Sequence, residues 1–434
     1  MKLENKKVMV FGPGRSGLAA FRFLLSRGAT PIMVGQGSPA NWSAADQLKG
    51  HTCYDQDAVP ADLLLNLDLV LLSPGIARDH ALLRGIPCPI WNEIELASQD
   101  IQVPIIAVTG TNGKTTTVTM MGEILRAMGK EVRLGGNIGT PLCEIIERGE
   151  HRDLDVLILE LSSFQLESLF DFHPQVAVFL NIFQNHGERY HSIEDYLAAK
   201  KRIANNLSND DLLLYGPQTE LADWAEGLNL PAVGSTPKLL EEFEAAYDFG
   251  QMKIPGAHNI SNFFFAVQAI KHLFPLEKEY VQKVVKSFNG VEHRIEFVAT
   301  DTDLLIYNDS KSTNWDATFV ALDSMPAGEL TLLLGGKLRG EGDCPPQKVI
   351  KLLRQRKPNI ILFGEARQEL TEIFENNKIP CTSFESLEDF FEKVKPRDCG
   401  DLLLLAPAFP SFDQFENYAK RGEVFKSLVS VWKK

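Results

Sequence analysis

Short apolar runs recur along this chain, and each leads into a loop with polar or glycine residues. The first, residues 8–11, stops at Gly12-Pro-Gly14-Arg-Ser-Gly17 and is followed by an apolar helical stretch over 18–25 that ends near Gly28. A second run covers 31–34, and another, 67–72, enters Ser73-Pro74-Gly75. Residues 105–108 lead into a glycine-rich turn, after which Val118, Met121, Leu125 and Met128 fall on one helical face until Gly129. Strands are predicted again at 155–159, 176–180 and 212–215, a helix over 260–273, and strands at 304–307, 330–334, 360–363 and 402–405 with helical patterns between them. Strands alternating with helices predict an α/β fold with mostly parallel sheets and ligands at the C-terminal strand ends.

Length agrees with several such units. The chain has 434 residues, and at ~150 residues per domain it holds roughly three. The pattern divides it into a dinucleotide-type amino-terminal domain (1–98), a central P-loop NTPase-like domain (99–290) and a carboxy-terminal α/β domain (291–434). With 44% hydrophobic and 23% charged residues the composition is that of an ordinary globular protein. No apolar run approaches the ~20 residues of a membrane span, and the charged start lacks the apolar segment of a signal peptide. A net charge of -13 speaks against general nucleic-acid or anionic-membrane binding. Six cysteines without paired spacing read as reduced thiols, and the expected location is cytoplasmic.

Candidate chemistry concentrates at the strand ends. In Ala107-Val-Thr-Gly110-Thr111-Asn112-Gly113-Lys114-Thr115-Thr116 the glycines admit an anion, backbone N–H groups and the helix dipole face it, Lys114 reaches outer phosphates and Thr115 holds magnesium. The general P-loop pattern places its first glycine where Val108 stands, so the match is partial. Glu160 follows a strand and suits a hard cation. His186 also lies past a strand end, either as a ligand or as a structural histidine. Lys200 and Lys201 lie in a helical stretch and read as a solvated basic face, which spacing alone does not beat. Asp309-Ser-Lys311-Ser-Thr-Asn314 and His293-Arg294 gather a carboxylate, cations and hydroxyls near one strand. The amino-terminal G-x-G-x-x-G invites a nicotinamide reading, but the second strand ends in Val34-Gly35-Gln36-Gly37, without the acid that holds ribose hydroxyls.

Over essentially the whole chain these motifs resemble the Mur ligases of bacterial cell-wall synthesis. Thr109-Gly-Thr-Asn-Gly-Lys-Thr115 is similar to that family's ATP loop, and Gly256-Ala-His-Asn259-Ile-Ser-Asn262, Glu292-His-Arg294-Ile-Glu296 and Asn308-Asp309-Ser-Lys311-Ser-Thr-Asn314 resemble its other nucleotide motifs. Glu160-Leu-Ser-Ser-Phe-Gln-Leu-Glu167, Gly135-Gly-Asn137-Ile-Gly139 and Ser411-Phe-Asp-Gln-Phe-Glu-Asn-Tyr418 resemble the branch that adds D-glutamate, and the Asp-Asn-Pro-Arg motif of the diaminopimelate- or lysine-adding branch is missing.

The resemblance implies an ATP-dependent ligase that joins D-glutamate to UDP-N-acetylmuramoyl-L-alanine through an acyl phosphate, as a monomer. Lys114, Glu160, His186 and Lys200 are implied as catalytic residues, with Thr115, Glu160, His186 and a carbamylated Lys200 as ligands of Mg2+. A carbamate turns a cation that repels magnesium into an anionic oxygen ligand. Gly110, Thr111, Asn112, Gly113, Lys114, Thr115, Thr116, Asn259, Arg294, Asp309 and Lys311 are implied in ATP binding. The Gly14-Arg15-Ser16 turn, Ser73 and Gly75 hold the UDP part, Asn137, Ser162 and Ser163 the muramoyl-alanine part, and Arg339, Ser411 and Tyr418 the amino acid. Three positions depart from the family pattern. Gln184-Asn185 replaces an acid-rich approach to the histidine, Gly35 replaces an aspartate that some members use for uracil, and Arg339 stands for a lysine that grips glutamate. Rival classes are a nicotinamide oxidoreductase, a folylpolyglutamate-type ligase, which needs no UDP-binding domain, and a non-catalytic nucleotide-binding regulator, against which Lys114, Glu160 and Lys200 argue.

Overall fold

Three sheets organise the chain in a computed structural model that describes residues 2–183, 189–338 and 344–432. The first contains β1 (Lys7–Phe11), β2 (Thr30–Gly35), β3 (Cys53–Asp55), β4 (Leu69–Leu72) and β5 (Ile90–Trp91). Its order is β3-β2-β1-β4-β5, with every pairing parallel. The second holds β6 (Ile105–Thr109), β7 (Val132–Gly136), β8 (Val156–Glu160), β9 (Val176–Phe179), β10 (Leu212–Tyr215) and β11 (Ala232–Gly234). These run parallel in the order β11-β10-β9-β6-β8-β7. The third comprises β12 (Glu296–Val298), β13 (Leu305–Asn308), β14 (Leu330–Gly335), β15 (Asn359–Phe363), β16 (Cys381–Ser383) and β17 (Leu402–Ala408), in the order β12-β13-β17-β14-β15-β16. Only β12 is antiparallel there, to β13.

The mixed α/β class with mostly parallel sheets is as the pattern predicts. The apolar runs became central strands, because a parallel strand covered on both faces must be apolar throughout. Strands β3, β5, β7, β11, β12 and β16 were not legible. All but β7 have only two or three residues, and β7 carries Arg133, Gly135 and Gly136.

The chain divides into two compact units. The first, residues 1–248 with 260–284, contains the first two sheets. One hydrophobic cluster runs through both, from Val8, Phe21 and Leu24 to Leu142, Ile145, Leu159 and Leu213. Helix Arg15–Ser26 of the amino-terminal sheet packs against helix Leu142–Glu147 of the central one. Arg22 lies 3.8 Å from Glu144 and 3.9 Å from Glu147 at the rim of this contact. Two buried carboxylates hold the joint. Glu93 accepts the backbone N–H of Cys143. Glu95 accepts those of Phe170, Asp171 and Phe172 at 2.9, 2.8 and 3.2 Å.

The second unit, 249–259 with 285–434, contains the third sheet. Its faces bury one cluster around Leu332, Leu362, Leu404 and Phe374, and another around Leu333, Phe363, Phe390 and Phe425. Among the described residues, no helix is long and apolar enough to cross a membrane. All six cysteines are free.

Candidate active site

The glycine turn after β6 meets the C-terminal ends of β8 and β9, the two strands flanking it. Gly110 and Gly113 take positive φ, 151° and 84°, and both places are crowded. A Cβ at Gly110 meets Leu180 Cβ at 3.0 Å, and one at Gly113 meets Asn262 Oδ1 at 2.7 Å. Side chains past β9 brace the turn. Asn181 Oδ1 accepts the Asn112 N–H at 2.9 Å, and the Asn181 amide donates back to the Asn112 carbonyl at 3.1 Å. Gly113 caps helix Lys114–Ala127, whose face Val118, Met121 and Leu125 is fully buried. The first-turn N–H groups and the helix dipole therefore point into the turn, the arrangement that receives phosphate.

Ionisable groups converge behind this cradle. Lys114 Nζ donates to the carbonyls of Gly110 at 2.9 Å and Thr111 at 3.0 Å. Glu160, 2% exposed at the end of β8, accepts from the Thr115 hydroxyl at 2.7 Å and from the Asn137 amide at 2.8 Å. Asn137 itself lies in an exposed loop. Lys200 corrects the solvated-face reading, because it is only 1% exposed. Its Nζ donates to Gly110 O at 2.9 Å and Thr109 Oγ1 at 3.2 Å, and lies 4.8 Å from the Tyr196 ring. Burial pushes its ammonium down to about 6, Lys114 pushes the same way, and Glu160 opposes them. Tyr196 is one helical turn before Lys200, so the two share a face. That spacing was the signal for a residue that motif reading passed over. Asn181 was passed over too, because its hold on Asn112 arises only when β6 and β9 pair. Thr116 stands half-buried on the helix that the turn starts. Ser162 caps the short helix Ser163–Leu166 in a reciprocal box with Gln165, and Ser163 is buried.

The amino-terminal turn is similar in outline. Gly12 has φ 110°, and Gly14 caps helix Arg15–Ser26, with Gly14 and Arg15 exposed and Ser16 half-buried. Gly17 must be glycine here, since a Cβ falls 2.0 Å from the Gly12 carbonyl oxygen. The Ser73 hydroxyl donates to that carbonyl at 2.9 Å, joining the ends of β1 and β4 where the strand order reverses. Gly75 is exposed beyond Ser73. At Gly35 a Cβ meets Pro13 Cδ at 2.7 Å and Trp42 Cζ2 at 2.9 Å, so no side chain fits where the family's aspartate stands.

In the second unit, the loop after β13 is densely bonded. Asp309 is buried, bonded to the Ser312 hydroxyl and to the Ile295 N–H. Burial pushes its carboxyl up to about 7, although Ser312, Ile295, Arg294 and Lys311 pull it down. Half-buried Arg294 sits between His293 and Ile295, whose φ values of 61° and 43° mark a strained segment. Asn259 donates to Pro255 O at 2.7 Å. Lys311 Nζ lies 5.6 Å from the ring of Tyr418, the first residue of helix Tyr418–Val431. Ser411 is 1% exposed, and among the described residues its hydroxyl has no hydrogen-bond partner. His186, Arg339 and Gln184-Asn185 lie outside the described residues.

A phosphate turn backed by a buried acid and a buried lysine defines a nucleotide-using enzyme class. Comparison with known proteins narrows it. Residues 108–270 match the Mur ligase middle domain, and residues 6–87 the Mur ligase MurD-like N-terminal domain. The chain is 35% identical to the UDP-N-acetylmuramoylalanine--D-glutamate ligase of Geotalea uraniireducens, over 99% of this chain and 98% of that protein. It is 34% identical to the enzyme of that name from Lactococcus lactis subsp. lactis, over 100% and 99%. The solved structure of UDP-N-acetylmuramate-alanine ligase MurC from Thermotoga maritima shares the fold, with TM-score 0.55 and 17% identity over 98% of this chain and 99% of that one. The chain belongs to the Mur ligase family.

Proposed function

We propose that this chain joins D-glutamate to UDP-N-acetylmuramoyl-L-alanine, converting ATP to ADP and phosphate, as a cytoplasmic monomer in peptidoglycan precursor synthesis. The observation that carries the reading is the buried Thr115–Glu160 hydrogen bond behind the phosphate turn, with Lys200 bonded to the Gly110 carbonyl of that turn. Full-length relatives named for this reaction support it.

A carboxylate is a poor electrophile, so the alanyl carboxylate is first activated. One of its oxygens attacks the γ-phosphorus of ATP, the bond to ADP breaks, and an acyl phosphate forms. The amine of D-glutamate then attacks the acyl carbon, phosphate leaves with the C–O electron pair, the nitrogen loses a proton, and an amide remains. The turn residues Gly110, Thr111, Asn112, Gly113, Lys114, Thr115 and Thr116 hold the triphosphate, with Lys114 offsetting its charge. Asn259, Arg294, Asp309 and Lys311 are assigned to nucleotide binding. Gly14, Arg15, Ser16, Ser73 and Gly75 bind the UDP part, and Asn137, Ser162 and Ser163 the muramoyl-alanine part. Arg339, Ser411 and Tyr418 take the D-glutamate, and the unpartnered Ser411 hydroxyl fits a ligand carboxylate.

The donor set behind the turn suits a hard divalent cation: a buried carboxylate beside a hydroxyl. Thr115, Glu160, His186 and Lys200 as its carbamate are the residues to hold it. Magnesium, when bound, supplies the positive charge that lets two anions approach. Carbamate formation needs an uncharged amine, and burial of Lys200 favours that form.

The test is phosphate release with UDP-N-acetylmuramoyl-L-alanine and ATP across D- and L-amino acids. Strict dependence on D-glutamate is expected; equal release with other amino acids, or with none, removes the assignment.

A further inference from the structure

The Lys200 amine is held by oxygen atoms on one side and by an aromatic ring on the other. Following that ring outward leads to an acid with no part in the reaction above. We propose that Glu167 is a positioning residue for the Lys200 amine, acting through Tyr190 and Tyr196; this rests on Lys200 serving in the reaction.

Both oxygens of Glu167 are used. Oε1 accepts the Tyr190 hydroxyl at 2.6 Å, and Oε2 pairs with Arg189 Nη2 at 2.5 Å. The Tyr190 ring is clasped between two others, stacked on Phe164 at 5.9 Å and tilted against Tyr196 at 5.2 Å. Tyr196 is buried. Its face lies 4.8 Å from Lys200 Nζ, and its hydroxyl lies 3.4 Å from Thr111 Oγ1 in the phosphate turn. Glu167 thus sets where Tyr190 stands, Tyr190 limits where Tyr196 can lean, and Tyr196 closes the apolar side of the Lys200 site.

The base of this relay is tied by several hydrogen bonds. Arg78 of the amino-terminal sheet's loops donates to Glu167 O at 2.6 Å. Arg202 donates to Leu166 O at 2.9 Å and Leu169 O at 2.6 Å. The Phe170 ring lies 5.1 Å from the Arg78 guanidinium and 5.6 Å from that of Arg202. The Glu95 carboxylate secures the next three N–H groups. A carboxylate at 167 accepts from both partners at once, whereas a glutamine that keeps Arg189 must reverse the Tyr190 hydroxyl from donor to acceptor. Glutamine has one acceptor oxygen and would turn its NH2 toward Tyr190 or Arg189.

The test compares Glu167→Gln, Tyr190→Phe and the double variant in the full chain. Three quantities are read: steady-state phosphate release, ATP affinity, and acetylation of Lys200 by acetic anhydride, followed by peptide mass spectrometry. Glu167→Gln is expected to lower kcat about 10-fold or more, the scale of a small misplacement at a reacting centre, while ATP affinity stays within about twofold. Lys200 acetylation should rise several-fold while the other lysines label as before. Tyr190→Phe should raise Lys200 labelling in the same way, and the double variant should label no more than Glu167→Gln, because the Tyr190–Glu167 hydrogen bond is what both substitutions remove from the path to Lys200. Wild-type rate and labelling in both single variants overturn the proposal. So does a loss spread evenly over kcat, ATP affinity and every lysine, which is what a general structural role produces. Should Glu167→Gln fail to fold, Tyr190→Phe, which keeps the ring, carries the decision. Inactivity of the wild type would remove the functional reading, while Lys200 labelling would still decide the role of Glu167.

Discussion

The turn after β1 and the turn after β6 share a backbone plan and differ in what lies beneath them. Each leaves a parallel strand through a positive-φ glycine and starts a helix whose cap is also glycine. Beneath the first lies the neutral Ser73 hydroxyl on a carbonyl oxygen. Beneath the second lie Glu160 and Lys200, both almost fully buried. Burying ionisable groups costs free energy unless they are bonded, and Glu160 and Lys200 are bonded at a phosphate turn, whereas Glu93 and Glu95 are bonded at a structural joint. Under the proposed function, the same loop geometry holds a phosphate group in one place and prepares one for transfer in the other.

The hardest blow to this contrast is Lys200→Ala. It should cut turnover about 10³-fold, on the scale of losing an essential group of a catalytic centre, with the fold intact by circular dichroism. An unimpaired variant would make the two turns equivalent and end the carbamate idea. Glu160→Gln should follow with a loss of about 10²-fold in kcat, measured by phosphate release. Ser73→Ala sharpens the contrast from the other side. It should raise KM for the UDP substrate about fivefold to tenfold, the worth of one hydrogen bond, and leave kcat within about twofold. A kcat loss matching that of Glu160→Gln would mean that the first turn also takes part in the chemistry.

The smallest effect concerns the joint between the two sheets. Burial lifts the Glu93 carboxyl from 4.5 to about 7, against the pull of its Cys143 hydrogen bonds. A raised folded-state value adds stability that is fully present below the unfolded value and lost as pH rises through the folded one. The protein should thus be less stable at pH 8.5 than at pH 6. Asp309, lifted from 3.8 to about 7, acts in the same direction in the second unit. Glu93→Gln keeps an acceptor for the Cys143 N–H and should raise Tm at pH 8.5 by roughly 2–4 °C, with little gain at pH 5. Equal Tm shifts at both pH values would sink this account, as differential scanning calorimetry would show.

How far the sequence could be read varied with the range of the interactions. Gly110, Gly113 and Lys114 were legible because a strand, a glycine turn and a helix start form a local signal. Lys200 was ambiguous in isolation, since a lysine on a helix is usually solvated. Only the family resemblance singled it out, and the fold then showed it buried. Gly35 reads as a missing acid, while the structure shows that Pro13 and Trp42 leave no room for one.

By itself the sequence determined the central strands, the two glycine turns and the family, because period, chain reversal and motif spacing are properties of neighbouring residues. Tertiary structure alone decided which charges are buried, that Glu160 meets Thr115 and Asn137, that the first two sheets share one core, and that Glu167 stands behind Tyr190. Desolvation and hydrogen bonding between distant segments depend on which strands pair, and that choice is made by the whole chain.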